Sequence, residues 1–146
     1  MTAWADTTAS TCRYGEVAER VWGNWDVRWE DSEAGYQGHA TILATKDGHW
    51  SFYEWWYGSC EGCDGWMADD RSDSDIEQEM RQTAMWFDDE AGLRAWLDLM
   101  ESNWRSNASM ERGGALAFGI DFLSGALRGR IDGVRAALGM PPLPPA

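Results

Sequence analysis

The pair Asp47-Gly48, set between two β-rich segments, is the sequence feature that most constrains the fold of this chain. Asp-Gly fits the two-residue turns whose twist matches that of paired strands, so it predicts a β-hairpin. Residues 40–45 before it are rich in β-branched and apolar side chains, and residues 50–57 after it are almost wholly aromatic. Residues 25–30 alternate apolar and charged side chains, which is typical of a half-buried strand. These patterns together predict a three-stranded antiparallel meander.

Apolar residues recur at helical spacing in four segments outside this predicted sheet. The helices are predicted at 14–22, from a Ser72 or Ser74 cap to Phe87, from an Asp88 or Asp89 cap to Trp104, and at about 112–138. The polar residues 103–109 predict a loop. The fold class is therefore α+β, with the three-stranded meander packed against three or four helices.

The length of 146 residues suits one domain with one hydrophobic core. Residues 1–12 are rich in Thr, Ala and Ser and predict a flexible N-terminus. Residues 13–139 then form the single α+β domain. Residues 140–146 contain four prolines and predict a flexible, polyproline-like tail.

The charge of the chain is strongly acidic, at −13, and unevenly distributed. Residues 61–90 hold eleven acidic side chains against Arg71 and Arg81. Direct binding of nucleic acid is not expected, because affinity for phosphates comes mainly from Lys and Arg. An anionic membrane surface is disfavoured for the same reason. An acidic face of this kind keeps the protein in solution, meets a basic partner or mimics nucleic acid, and these alternatives stay open.

Eleven tryptophans are an unusual number for this length. Most should lie half buried with the indole N–H satisfied, but some could form an exposed binding surface, since Trp is enriched at interface hot spots. No segment approaches the ~20 apolar residues that a membrane-spanning helix needs. The N-terminal residues are polar and lack the apolar core of a secretion signal, so a reducing cytoplasm is the expected location of the three cysteines.

The segment Tyr57–Asp64 carries the most distinctive chemistry, with Cys60 and Cys63 three positions apart in a glycine-containing turn. A zinc site needs four N or S ligands, and this pair would supply two. Cys12, His39 and His49 are the other candidates, and His49 is favoured because its hairpin adjoins the strand that leads to Cys60. Zinc is therefore an alternative, and no cofactor is the first expectation.

Two catalytic uses of the same thiols find less support. A thioredoxin-like site needs a cis-proline beside its dithiol, but the chain has no proline before Pro141. A nucleophilic cysteine needs a lowered pKa, whereas the acidic neighbours of Cys60 and Cys63 would raise it. No complete catalytic constellation is visible, and an enzyme is not the preferred interpretation.

The favoured interpretation of the turn is architectural. Gly58 and Gly62 permit backbone angles that other residues avoid, and Ser59 and Asp64 can hydrogen-bond nearby amides. Exposed amides of such a turn can also bind an anion or a partner's carboxylate. The predicted binding residues are Tyr36, Gln37, Gly38, Tyr57, Gly58, Ser59, Gly62 and Asp64.

Glycines at four-residue spacing, Gly125, Gly129 and Gly133, lie within the last predicted helix. Each costs up to ~1 kcal/mol relative to alanine in a helix interior, so an offsetting contact is expected. Two alternatives remain open: close packing against another helix of the same chain, or a homodimer seam through this face.

The segments Gly35–Gly38, Lys46–Gly48 and Tyr57–Asp64 resemble a family of small uncharacterised proteins common in tailed bacteriophages and some bacteria. The resemblance covers about 35–97 and includes the step Trp86-Phe87-Asp88; the family tends to carry Asp where this chain has His39 and Ser where it has Glu61. The resemblance implies a setting in a phage or a bacterial cytoplasm and a likely site at the turn Tyr57–Asp64, and it implies no reaction.

The sequence thus favours a non-enzymatic, phage-accessory-type binding protein. It would contact a host or phage macromolecule, most simply a protein, through an acidic, tryptophan-rich surface. The alternative is a protein that binds a small ligand or zinc at the turn of Cys60 and Cys63.

Overall fold

The computed structural model describes residues 2–3, 13–32, 38–57, 71–112 and 117–144. These residues belong to two compact units, unit 1 over Met1–Asp89 and unit 2 over Glu90–Ala146. Each unit is considered by itself. The predicted boundaries at residues 12 and 139 stay predictions.

Unit 1 is built on an antiparallel sheet whose strands follow one another in chain order. The predicted three-stranded meander is confirmed, and a short strand is added at each edge. The strands are β1 (Thr2–Ala3), β2 (Asp26–Ser32), β3 (Gly38–Lys46), β4 (His49–Tyr57) and β5 (Met85–Phe87).

The hairpin between β3 and β4 forms as predicted. Lys46 pairs with His49, and the two turn residues have positive φ, 51° at Asp47 and 84° at Gly48. Two successive residues in the left-handed region are the mark of the primed turns that Asp-Gly favours. The Thr45 hydroxyl adds a hydrogen bond of 2.7 Å to the carbonyl of His49.

Among the residues that the structure describes, unit 1 also has two helices, α1 (Arg13–Trp22) and α2 (Asp73–Thr83). Ser72 caps α2, because its side chain accepts a hydrogen bond from the backbone N–H of Asp75 at 3.1 Å. The prediction that this helix reaches Phe87 is wrong. Ala84 has an extended backbone conformation, and the next three residues pair with Trp50–Phe52 of β4. Pairing with a distant strand therefore replaces the last predicted turn of the helix.

The core of unit 1 lies between one face of the sheet and the two helices. Trp22 is fully buried at its centre. The cluster comprises Val17, Ala18, Val21 and Trp22 of α1, Val27, Ile42, Ala44 and Tyr53 of the sheet, and Ile76, Met80 and Ala84 in or just after α2. Helical spacing in α1 and α2 and alternation in the strands therefore place their apolar residues on facing surfaces.

Unit 2 contains two long helices that pack on each other, α3 (Glu90–Arg112) and α4 (Ala117–Ala137). The predicted loop at 103–109 is wrong, because α3 continues through it. Trp104 is buried and extends the apolar stripe of Leu93, Leu97 and Met100. Its polar neighbours Ser102 and Ser106 lie on the exposed side, so polarity alone did not indicate the end of the helix.

The end of α4 is formed by a backbone motif that the glycine makes possible. Gly139 has φ 73°, and the N–H of Met140 donates to the carbonyl of Arg135 at 2.8 Å. The N–H of Gly139 donates to the carbonyl of Ala136 at 3.0 Å. This pair of bonds satisfies carbonyls that would otherwise be open at the helix end.

Pro141 and Leu143 of the predicted C-terminal tail contact α4, and the predicted flexibility of residues 140–146 stays a prediction. Leu143 is buried, its N–H donates to Asp132 Oδ1 at 2.8 Å, and its carbonyl accepts from Arg128 at 2.8 Å. Arg135 donates to the carbonyl of Pro141 at 2.6 Å. Proline content indicated only the lack of a helix, whereas charged side chains of α4 hydrogen-bond to the backbone of Pro141 and Leu143.

Substitutions at two glycines are expected to change the free energy of unfolding in opposite directions. We expect Gly129→Ala to raise the free energy of unfolding by about 0.5–1 kcal/mol, because a Cβ there has open space and alanine favours the helix. We expect Gly48→Ala to lower it by about 1–2 kcal/mol, because φ of 84° is strained for any side chain. Urea denaturation followed by circular dichroism measures both. Two changes of the same sign would contradict these backbone assignments.

Candidate functional site

The centre of the predicted site lies outside the described residues. This holds for Tyr36 and Gln37, for the turn 58–64 with Cys60 and Cys63, and for Cys12. Their assignment to binding or to zinc stays a prediction. Within the described ranges, no group of three or more His, Cys, Asp or Glu side chains is placed to hold a metal ion.

The two predicted site residues that flank these segments do come together. Gly38 begins β3 and Tyr57 ends β4, and they are direct partners across the ladder. His39 lies next in register, opposite Trp56. The backbone before the Cys turn and the backbone after Gln37 are therefore neighbours at one end of the sheet.

His49 lies at the other end of the same strand. It is exposed, and eight residue steps of β4 separate it from Tyr57. At ~3.3 Å per residue that distance is about 26 Å. For His49 and Cys60 to share a zinc ion, the three residues from Tyr57 to Cys60 would have to reach back along most of β4. The hairpin position that suggested His49 as a ligand is therefore an argument against that assignment.

The glycine face of α4 is not uniform. Gly133 is buried, whereas Gly129 is exposed and has no neighbour within 4 Å of a Cβ built on it. For Gly125 the structure describes the helical backbone but not the burial. No close helix approach at Gly129 offsets its conformational cost, and the homodimer seam through these glycines stays a prediction.

An aromatic cluster in unit 1 joins its core to its surface. It consists of Trp22, Trp25, Tyr53 and Trp86. Trp22 is stacked on Tyr53 at 5.0 Å and on Trp86 at 5.8 Å between ring centroids, with interplanar angles of 24° and 15°. Trp25 meets Trp86 edge-on at 5.8 Å and 66°. Stacked and edge-on pairs at such distances are favourable beyond the area that they bury.

Hydrogen bonds fix the orientation of this cluster. The indole N–H of Trp22 donates to Ser51 Oγ at 2.9 Å, and Ser51 Oγ donates to the carbonyl of Met85 at 3.0 Å. The indole N–H of Trp86 donates to the carbonyl of Arg81 at 2.8 Å, in the last turn of α2. β4, β5, α1 and α2 thus all contribute to placing the Trp86 ring.

Trp86 is nevertheless 43% exposed, and Met85 beside it is 37% exposed. Asp88 and Asp89 follow the strand and are exposed too. We call Met85, Trp86, Asp88 and Asp89 the β5 surface. Sequence reasoning missed it because the segment was assigned to a helix; the available signal was the short apolar run Met85–Phe87 directly after the helical period had ended.

The charge of the chain resides in unit 1. Unit 1 holds 19 acidic residues against 6 basic ones, while unit 2 has six of each. The net charges are therefore −13 and 0. Several acids of α2 are ion-paired: Asp73 with Arg20, Glu77 with Arg81 and Glu79 with Arg71. These pairs neutralise only a small part of the acidic charge of unit 1.

Unit 2 has a shallow polar cleft along α3, lined by Asp98, Glu101, Ser102, Arg105 and Ser106. Glu101 is engaged by Arg135 at 2.6 Å, with both side chains largely buried. The described lining comes from one face of one helix, at steps of three and four residues. Such a lining offers a groove rather than an enclosed pocket.

Comparison with known proteins adds no assignment: no family model, curated protein or solved structure matches this chain. The resemblance to phage proteins therefore stays a prediction. Among the described helices, none is both long enough and apolar enough to cross a bilayer.

Proposed function

We propose that this chain is a non-enzymatic binding protein, of the phage-accessory type that the resemblance implies, and that it contacts a protein partner through the β5 surface. The observation that carries the proposal is the exposure of Trp86 at the edge of a buried aromatic cluster. Trp is among the residues that most often dominate binding energy at protein interfaces.

Single exposed apolar residues are common, so the proposal also uses the fixed orientation of the Trp86 ring. Its ring is stacked on Trp22 and its indole N–H is bonded to the carbonyl of Arg81. A side chain held in this way loses little conformational freedom when a partner covers it. The arrangement supports a preformed contact point.

The charge of unit 1 supports a basic partner. Asp88 and Asp89 are exposed and follow Trp86 closely in the chain, and the unit carries a net −13. Such a field accelerates encounter with positively charged proteins and weakens as salt screens it. Arginine suits the surface best, because its guanidinium can stack on an indole face and pair with a carboxylate.

Capture from bacterial lysate at physiological salt tests the proposal. We expect wild-type protein to retain a set of basic proteins that Trp86→Ala and Asp88→Lys each fail to retain, with a loss of at least about tenfold. Asp88→Lys matters because the described structure gives that carboxylate no role in the core. Raising the salt to about 0.5 M should release the same proteins.

Leu99→Ala is the matched control, since Leu99 is an exposed apolar residue on α3 of unit 2. It should capture the same proteins as wild type. Capture of nothing by wild type, or equal capture by all four proteins, would contradict the proposal.

A further inference from the structure

A hydrogen bond from β4 shows in which direction the backbone N–H and C=O groups of β5 point. The carbonyl of Met85 accepts a hydrogen bond from Ser51 Oγ, a side chain of β4, so that carbonyl points toward β4. Successive residues of a strand direct their N–H and C=O groups to opposite edges. The N–H and C=O of Trp86 therefore point away from β4, toward the outer edge of the sheet.

No described strand lies beyond β5, which ends the sheet order β1-β2-β3-β4-β5. The outward pair of groups on Trp86 is one donor and one acceptor from a single residue. In an antiparallel ladder, one residue of an added strand exchanges both bonds with such a residue. Its side chain then lies on the same face as the Trp86 ring, at cross-strand distance.

We propose that the outer edge of β5 accepts an extended segment of a basic partner protein by strand addition. This inference rests on the proposed function and specifies how the partner binds. The segment pairs with the backbone of Trp86 and places an arginine or apolar side chain against the indole. Further basic residues of the segment lie near Asp88 and Asp89.

Charge favours a basic segment over a second copy of the chain or nucleic acid at this edge. A second copy of the chain would bring another unit of net charge −13 to the same edge, and the two would repel. Nucleic acid would meet the same repulsion. An extended basic segment gains charge attraction, ring contact and main-chain hydrogen bonds together, as in other edge-binding interactions.

The short length of β5 protects its edge from nonspecific strand pairing. Of its three residues, only Trp86 directs its backbone N–H and C=O outward, and two acids follow the strand directly. Short edge strands flanked by charge resist pairing with uncharged or acidic chains. The same two features favour a segment that carries the opposite charge.

Titration of the ¹⁵N-labelled full chain with a short synthetic peptide that alternates arginine and valine tests the inference. We expect slowed solvent exchange of the Trp86 backbone amide and cross-strand nuclear Overhauser effects between the peptide and β5. A matched peptide, N-methylated at alternate amides on the pairing edge, keeps its side chains but loses the ladder bonds. It should bind at least about tenfold more weakly.

The outcomes separate the two proposals. Equal binding of both peptides, with both weakened by Trp86→Ala, contradicts strand addition but leaves the β5 surface as the contact. Failure of the parent peptide to bind contradicts strand addition, while lysate capture tests the surface separately. A dimer of the protein alone that Trp86→Pro abolishes also contradicts it, because a second copy would then occupy the edge.

Discussion

Replacing Trp22 with alanine is expected to lower the free energy of unfolding of unit 1 by about 4 kcal/mol. The side chain is fully buried, stacks on Tyr53 and Trp86, and bonds to Ser51 Oγ. Alanine would leave a cavity the size of an indole and remove a donor from the buried Ser51 hydroxyl. Urea denaturation followed by far-ultraviolet circular dichroism measures the change.

Trp22→Phe separates the two causes. Phenylalanine keeps much of the ring contact and loses the indole N–H, so we expect a smaller loss of about 1–3 kcal/mol. Equal losses for Trp22→Phe and Trp22→Ala, or a loss below about 1 kcal/mol for Trp22→Ala, would contradict the central position given to this residue.

The ion pair of Arg135 and Glu101 carries the second large effect, in unit 2. Its atoms Nη1 and Oε1 are 2.6 Å apart, and the side chains are only 12% and 13% exposed. Arg135 also donates to the carbonyl of Pro141. Arg135→Met should lower the free energy of unfolding by about 3 kcal/mol, because it leaves the Glu101 carboxylate largely buried without this partner and releases the tail.

Arg94→Met is the matched control for that substitution. Arg94 pairs with Glu90 one turn away on α3, at 3.2 Å, and both side chains are about half exposed. Exposed pairs of this kind contribute little, so we expect a loss of less than about 0.5 kcal/mol from the ion pair. Similar losses for the two variants in urea denaturation would mean that burial does not distinguish these ion pairs.

Local patterns predicted those parts of the fold that local chemistry determines. The hairpin at Asp47-Gly48 depends on two residues that adopt positive φ, and the cap at Ser72 depends on a side chain three residues from its donor. Both are visible in a few letters of sequence. The three central strands likewise followed from their alternation and their β-branched or aromatic content.

The parts that sequence reasoning missed depend on distant partners. Met85–Phe87 carries no strong β pattern in three residues, and its pairing with β4 decides its conformation. Arg128, Asp132 and Arg135 hydrogen-bond to backbone groups of the tail, a role that no periodicity indicates. The helix was predicted to end at Trp104, and the polar residues 103–109 gave no signal that α3 continues to Arg112.

The candidate site was harder to foresee than the fold. Cysteine spacing drew the sequence-based expectation to the turn at 58–64, which lies outside the described residues. Eleven tryptophans gave no indication of which would be exposed. Exposure of Trp86 results from three elements that meet at its ring, namely α1 through Trp22, α2 through Arg81 and the edge position of β5.

Site-specific photo-crosslinking tests most directly whether the β5 surface is where a partner binds. A photoreactive aromatic residue would replace Trp86 in one variant and Leu99 in another, and both would be irradiated in bacterial lysate. Our account predicts a discrete covalent adduct with a basic protein from position 86 and none from position 99. Adducts from position 99 alone, or the same adducts from both positions, would contradict it.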